Sequence, residues 1–319
     1  MFPLPTGSGS ILAGIDVGTL TCRLLIAEVF PDGRLREVRS DRRILRLGQD
    51  VDRDRRLRSD AMQRVTATLK EWRQIMNDCH VRSFSVVATS AVRDALNREE
   101  FLEVARRDAQ MEIEIISGEE EARRTMLGIR SGLPHDVADL LALDIGGGST
   151  ELILHRLGQP IAARSMDIGV VRLSERILRS DPPTGEEVRQ AREWVSNETA
   201  AAVKDMLLST DLTFVGTAGT ITSLAAMAQQ LPAYEPARIH NYILNLDTVK
   251  ALEEQLLSKS KTQREDLPGL ERGREEVIVA GVIILSKVME TLRMSECLVS
   301  DLGLREGVLI NLAMRITER

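Results

Sequence analysis

The chain carries one short plan twice. "GIDVGTLTCRLLI", Gly14 to Ile26, is an apolar strand ending in Asp16, a Gly/Thr turn and a second apolar strand; "ALDIGGGSTELIL", Ala142 to Leu154, repeats it around Asp144 with a turn of glycines and hydroxyls. A third glycine-rich turn, "FVGTAGTITSLA", follows another apolar run at Phe214 to Ala225. Strand–turn–strand units that alternate with helical stretches predict an α/β protein of two related halves. Two Asp-bearing glycine hairpins facing each other would line one interdomain cleft.

The stretches between the turns fill in this plan. Residues 60–78 have helical periodicity, with Met62, Val65, Leu69, Trp72 and Met76 on one face. "FSVVATSAVRDA" reads as a buried strand running into a loop; a helix over 97–109 and a strand "EIEII" follow. Further helices are expected at 184–208 and 275–293, and the tail "CLVSDLGLREGVLINLAM" reads as a strand, a turn and a closing helix. Arginines 39, 42, 43, 46, 53, 55, 56 and 58 are interleaved with Asp41, Asp50, Asp52, Asp54 and Asp60, the pattern of a solvated charged face.

Composition narrows the partners. Aromatics make up 3% of the 319 residues and the formal charge is −6, which argues against nucleic acid as a ligand while allowing a local basic site for a small anion. The N-terminal "MFPLPTGSGSILAGI" has no basic flank or continuous apolar stretch, and the longest apolar run, Val277 to Leu285, is too short for a bilayer. Cys22, Cys79 and Cys297 are odd in number and widely spaced, which fits neither a disulfide framework nor a zinc site. The expectation is a cytoplasmic protein with no membrane association; a homodimer is left open.

The turns point to phosphate. Successive backbone N–H groups of a Gly-rich turn form a concavity that holds an anion. Gly18 in the first turn, Gly146, Gly147 and Gly148 in the second, and Gly216 and Gly219 in the third supply that backbone; Thr19, Thr21, Ser149, Thr150, Thr217 and Thr220 add hydroxyl donors. Asp16 and Asp144, each ending a strand, can hold Mg2+ against phosphate oxygens, in part through water. Arg93 follows a strand, where α/β sites gather, and Arg23 and Arg46 are further candidates for phosphate oxygens.

Other phosphate chemistries leave no trace. There is no P-loop pattern, and the histidines at 80, 135, 155 and 240 have no ligand spacing. His135-Asp136 reads as a chance pair in a loop, and "DRDR" at Asp52 to Arg55 as a polar turn, since no apolar strand precedes it. No cysteine precedes a glycine-rich anion loop. Without a covalent nucleophile, direct attack by water is the simplest mechanism.

The segments "GIDVGTLTCRLLIAEV", "RLGQDVD", "ATSAVRDA", "IISGEEEAR", "LDIGGGSTEL", "GTAGTITSLA" and "SDLGLREGVL", taken in order, resemble the exopolyphosphatase/guanosine pentaphosphate phosphohydrolase family of the actin/Hsp70/sugar-kinase superfamily. The resemblance implies two ribonuclease-H-like α/β domains, one over 1–130 completed by the tail from 304 to 319, the other over 131–303. It implies Mg2+-dependent removal of the terminal phosphate from polyphosphate, with guanosine pentaphosphate as a second substrate and guanosine tetraphosphate as a related ligand. Glu121 matches the family's proposed general base, Asp144 and Glu151 its acidic positions near the metal, and Gly146, Gly147, Gly148, Ser149, Thr19 and Arg93 its phosphate contacts. Two departures stand out: Leu20 replaces the usual Asn of the first turn, and the sequence ends at Arg319 without the C-terminal helical domains of long members, which implies little processivity. The rivals are an ATP-dependent kinase or ATPase of the same superfamily, and a non-catalytic sensor of polyphosphate or guanosine tetraphosphate.

The acidic triplet Glu119-Glu120-Glu121 divides by position. Ser117 and Glu120 have capping-box spacing, so Glu120 is expected to reach back to the Ser117 N–H. Glu119 suits the helix dipole and solvent. Capping leaves Glu121 unexplained, and a helix N-terminus favours its ionised form, as a base requires.

Overall fold

The structure is a computed structural model that describes residues 9–30, 34–134, 137–206, 208–209 and 211–317. The His135-Asp136 pair and the first eight residues of the N-terminal stretch lie outside the described residues. The chain divides into two compact units, Met1–Ser131 with Gly303–Arg319, and Gly132–Leu302.

Unit 1 runs β1 (Ser10–Val17), β2 (Thr21–Val29), β3 (Leu35–Ile44), α1 (Val51–Asp54), α2 (Ser59–Asp78), β4 (Ser83–Ala88), α3 (Ser90–Asp94), α4 (Arg98–Val104), a π-helical turn (Ala105–Ala109), β5 (Glu114–Ile115) and α5 (Gly118–Gly132). Its sheet has the order β3-β2-β1-β4-β5, with the first three strands antiparallel and the last two parallel to β1. Alternation along the strands feeds two cores. Ala13, Ile15, Val17, Cys22, Leu24 and Ile26 pack with Val65, Leu69, Trp72 and Met76 of α2. Leu12, Leu25 and Ala27 turn the other way and pack with Leu309.

Leu309 belongs to α13 (Leu304–Thr317), the closing helix, which glycines seat against unit 1. A Cβ on Gly128 would lie 1.9 Å from the Gly303 carbonyl oxygen, and one on Gly307 would lie 1.7 Å from that of Arg124. Hydrogen side chains therefore let α5 and the start of α13 meet backbone to backbone.

Unit 2 runs β6 (Leu140–Ile145), β7 (Thr150–His155), β8 (Ala162–Met166), α6 (Val170–Arg176), α7 (Gly185–Val203), β9 (Thr213–Thr217), α8 (Ala218–Ala228), α9 (Pro236–Ile239), β10 (Ile243–Asn245), α10 (Leu246–Leu257), α11 (Lys261–Arg264), α12 (Ile278–Leu292) and β11 (Glu296–Val299). Its sheet order is β10-β11-β9-β6-β7-β8. Around the second hairpin the strand senses copy unit 1: β7 and β8 are antiparallel, while β9 and β11 continue parallel to β6. The expected duplicated α/β plan with ribonuclease-H-like units is what the chain adopts. Most of the apolar run from Val277 lies on α12, which is buried on almost every side, as a helix apolar all round is when it fills a protein core. No helix among the described residues is long and apolar enough to cross a membrane.

Several local expectations differ from the outcome. The stretch after β4 forms the short helix α3 rather than a loop, and "DRDR" falls mostly on α1 rather than on a turn. The charged segment hides an edge strand, β3, because five of its ten residues face solvent and four of those five are Arg, Glu or Ser.

Candidate active site

The two hairpins share one geometry. Asp16 stands opposite Arg23 in the β1–β2 register, and Asp144 stands opposite Glu151 in β6–β7. In each turn the leading glycine donates its N–H to a carbonyl across the loop: Gly18 to Thr21 at 3.1 Å, Gly146 to Ser149 at 3.0 Å.

The remaining turn carbonyls are pinned from behind. In unit 2, Gly146 O accepts from Val170 N–H at 3.0 Å, Gly147 O from Val171 N–H at 2.8 Å, and Gly148 O from the Arg172 Nε–H at 2.9 Å. In unit 1, Thr19 O accepts from Gly48 N–H at 2.8 Å, and Leu20 O from the N–H groups of Leu45 and Arg46 at 3.0 and 2.9 Å. A trans peptide points its C=O and the next residue's N–H in opposite directions. Pinning the carbonyls thus aims the N–H groups of Leu20 and Thr21 in one turn, and of Gly147, Gly148 and Ser149 in the other, away from the supporting segment. Such a run of parallel N–H groups is an anion cradle. Leu20 contributes through its backbone; its side chain is buried, so a leucine serves in this turn without a polar side-chain contact.

Glycine is required where the support approaches. A Cβ on Gly169, ahead of α6, would lie 2.3 Å from Gly147 O, and one on Gly48 would lie 2.2 Å from the Thr19 methyl. The Thr19 hydroxyl is held by Ser90 Oγ at 2.9 Å, tying the first turn to the start of α3.

One helical turn further along α3 comes Arg93. Its Nη1 donates to Ile116 O at 2.9 Å and to Glu121 Oε2 at 3.3 Å. The acidic triplet now separates by burial: Glu119 is exposed, Glu120 half-buried, and Glu121 is 8% exposed. Ser117 Oγ accepts from the Glu120 N–H at 3.2 Å, so half of the capping box forms. The Glu120 carboxylate does not reach back as expected; Arg123 and Arg124 take both of its oxygens and hold its pKa down to about 2. Two guanidiniums outcompete a single backbone N–H for a carboxylate.

In unit 2, Asp144 and Glu151 are buried to 8% and 1% exposure, and Ser165 Oγ donates to Glu151 Oε1 at 2.7 Å. Among the described residues no group of three or more His, Cys, Asp or Glu side chains forms a metal cluster. Two carboxylates directly opposite on neighbouring strands share a face. They fit Mg2+ in kind, since that ion is usually held by one or two carboxylates with water and substrate phosphate completing its shell.

The third turn is a strand running straight into a helix, β9 into α8, with Ala218 at a φ of 70° in the left-handed region. The Thr217 hydroxyl donates to Leu302 O at 3.0 Å. Thr220 packs against Gly281 of α12, and Gly216 against Cys297 and Ile221. Gly219 leaves room for the Arg274 guanidinium, to which a Cβ would come within 2.1 Å. Thr150 likewise spends its hydroxyl inside the fold, donating to Ile168 O at 2.5 Å. Burial raises the pKa of the Cys22 thiol, and that of Cys297 to about 12, so neither is poised as a thiolate.

Sequence reasoning passed over Arg172, Ser90, Gly48 and Gly169. Only the two glycines left a hint, each interrupting an otherwise ordinary stretch; Arg172 sits in "VVRLSER" with nothing to mark it.

Known proteins resemble the chain over nearly its whole length. A model of the Ppx/GppA phosphatase family matches residues 25–316. The chain is 35% identical over 315 residues to exopolyphosphatase 2 of Mycobacterium tuberculosis, covering 95% of this chain and 98% of that protein. It is 29% identical over 301 residues to exopolyphosphatase 1 of Mycobacterium bovis, with 94% and 87% covered. Among solved structures it is similar to the Aquifex aeolicus member of the Ppx/GppA protein family, with a TM-score of 0.81 at 33% identity over 96% of this chain and 98% of that one.

Proposed function

The chain belongs to the Ppx/GppA phosphatase family, and on that premise we propose that it hydrolyses the terminal phosphoanhydride of inorganic polyphosphate, releasing orthophosphate. The observation that carries this reading is the chain of contacts inside unit 1 that joins an anion cradle to a buried carboxylate: Thr19 to Ser90, Ser90 along α3 to Arg93, and Arg93 to Glu121. A carboxylate for proton transfer and donors for phosphate oxygens are the parts that water attack on phosphorus requires.

In this reading Glu121 accepts a proton from the attacking water as the oxygen–phosphorus bond forms. Arg93 orients Glu121 and offers its remaining N–H groups to the phosphoryl oxygens. The N–H groups of the first turn bind the transferred group as its negative charge redistributes, and a donor set fixed in advance costs little reorganisation at that moment. Within unit 2, Asp144 and Glu151 are the residues that would hold Mg2+. That ion, when bound, neutralises phosphate charge and favours departure of the shortened chain. Polyphosphate is preferred to guanosine pentaphosphate because the relatives with near-complete coverage are named exopolyphosphatases.

The test is phosphate release from polyphosphate, guanosine pentaphosphate and ATP with and without Mg2+. Metal-dependent release from polyphosphate is the expected result. Turnover of ATP alone would overturn the reading in favour of an ATPase, and tight binding of polyphosphate without turnover would favour a sensor.

A further inference from the structure

The short strand β8, Ala162–Met166, forms one edge of the unit 2 sheet. Its register puts Ser165 directly opposite Glu151 of β7, which in turn stands opposite Asp144 of β6. Directly opposed residues of neighbouring strands share a face. Asp144, Glu151 and Ser165 therefore form one row across three strands, from the carboxylate near the end of β6 out to the sheet edge. Glu151 is 1% exposed and Ser165 lies at the surface, so the row passes from a buried carboxylate to a solvent-facing hydroxyl.

That hydroxyl is committed to the carboxylate. Ser165 Oγ donates to Glu151 Oε1 at 2.7 Å, the usual length of an O–H···O bond. The scaffold itself does not demand a serine there. In the duplicated hairpin of unit 1 the equivalent position is Arg42, opposite Arg23, which stands opposite Asp16. The position thus admits a large charged side chain in one copy and holds a small donor in the other, where it faces a carboxylate. A bond to one oxygen limits rotation of the carboxylate about its own axis. Partners that fix a ligating side chain in this way govern how tightly a metal is held.

We propose that Ser165 is a positioning residue for the metal: its hydroxyl sets the plane of the Glu151 carboxylate, and that orientation favours Mg2+ over larger cations. The proposal rests on the reading above in which Asp144 and Glu151 would hold the ion. Mg2+ demands near-ideal octahedral geometry and tolerates a turned ligand poorly, whereas Ca2+ accepts oxygen ligands in varied number and direction. Ser165 acts through Glu151 and touches neither ion nor substrate in this role.

The test compares wild type with Ser165→Ala, Ser165→Val, Ser165→Thr and Ser258→Ala in the full chain, titrating Mg2+ and Ca2+ separately by calorimetry with no phosphate present. Threonine and valine nearly match in shape, both suit a strand, and they differ by the hydroxyl. Ser258 donates to Gln255 O at the end of α10 and serves as the control. Mg2+ affinity should fall about tenfold in Ser165→Ala and Ser165→Val, with a smaller loss for Ca2+. Both affinities should stay at the wild-type level in Ser165→Thr and Ser258→Ala. Phosphate release by the alanine and valine variants should need about tenfold more Mg2+ and approach the wild-type rate once the ion is saturating. Unchanged Mg2+ affinity in Ser165→Val overturns the proposal and leaves the metal reading intact. Equal losses of Mg2+ and Ca2+ also overturn it, because a loosened sheet edge weakens both ions alike. If wild type takes up no Mg2+, the metal reading itself fails and the proposal falls with it.

Discussion

Arg93 Nη1 lies 3.3 Å from Glu121 Oε2 while also donating to the Ile116 carbonyl at 2.9 Å. The backbone contact fixes the guanidinium, and the guanidinium fixes the carboxylate. Glu121 is thus held at the start of a helix in a defined orientation, while Glu119 beside it is exposed. If Glu121 takes the proton from water, Glu121→Gln keeps a partner for Arg93 and preserves the fold but removes the base. Phosphate release should fall by about a hundredfold or more, with the thermal unfolding midpoint close to wild type. Retention of half the rate would end the assignment.

Arg172 acts through the backbone. Its Nε–H holds Gly148 O, which aims the Ser149 N–H in the opposite direction. In Arg172→Gln a buried carbonyl loses its donor, at a cost of about 1–3 kcal/mol in urea unfolding. KM should rise along with the loss of stability, because the turn is freed to rotate. Unchanged stability and KM would show that the turn holds its shape without the guanidinium.

The closing helix should be sensitive at its glycine contacts. Gly128→Ala puts a Cβ 1.9 Å from Gly303 O, and backbone cannot step aside as a side-chain tip can. Destabilisation of about 1–3 kcal/mol or more is expected from such overpacking. Gly185→Ala is the control: nothing lies near its Cβ position, it begins α7, and alanine's helix preference should leave stability level or slightly higher. Equal effects at both sites would contradict the close crossing.

Acid stability has a local source at Glu120. Its pKa is held from an ordinary 4.5 down to about 2 by Arg123 first, with Arg124 adding to it. A carboxylate with a depressed folded pKa contributes stability that is present above its unfolded value and is lost as pH falls through the folded one. Between about pH 4.5 and 2 the wild type should lose stability more steeply than Glu120→Gln, which has no proton to gain. Urea midpoints across that range measure the difference, and parallel slopes would remove Glu120 as the source.

What the residues alone determine here is local. Strand alternation, glycine in a tight turn and an Asp closing the strand all act within a dozen positions, so both hairpins and their duplication were legible. Glu121 stood out because capping explained its neighbours and left it over. The tertiary structure decided which way the turns point. Gly48, Leu45 and Arg46 pin one turn, and Val170, Val171 and Arg172 pin the other, each arriving from roughly twenty or more positions further along the chain. Local sequence cannot report a carbonyl's partner at that distance, because any N–H suffices chemically and only the fold selects one. The same reason hid β3: an edge strand pairs with one neighbour only, and none of its residues is fully buried, with five in a row exposed, so it shows no apolar period. It also split the acidic triplet, since burial is set by what packs over a helix, and three identical side chains in a row received three different environments.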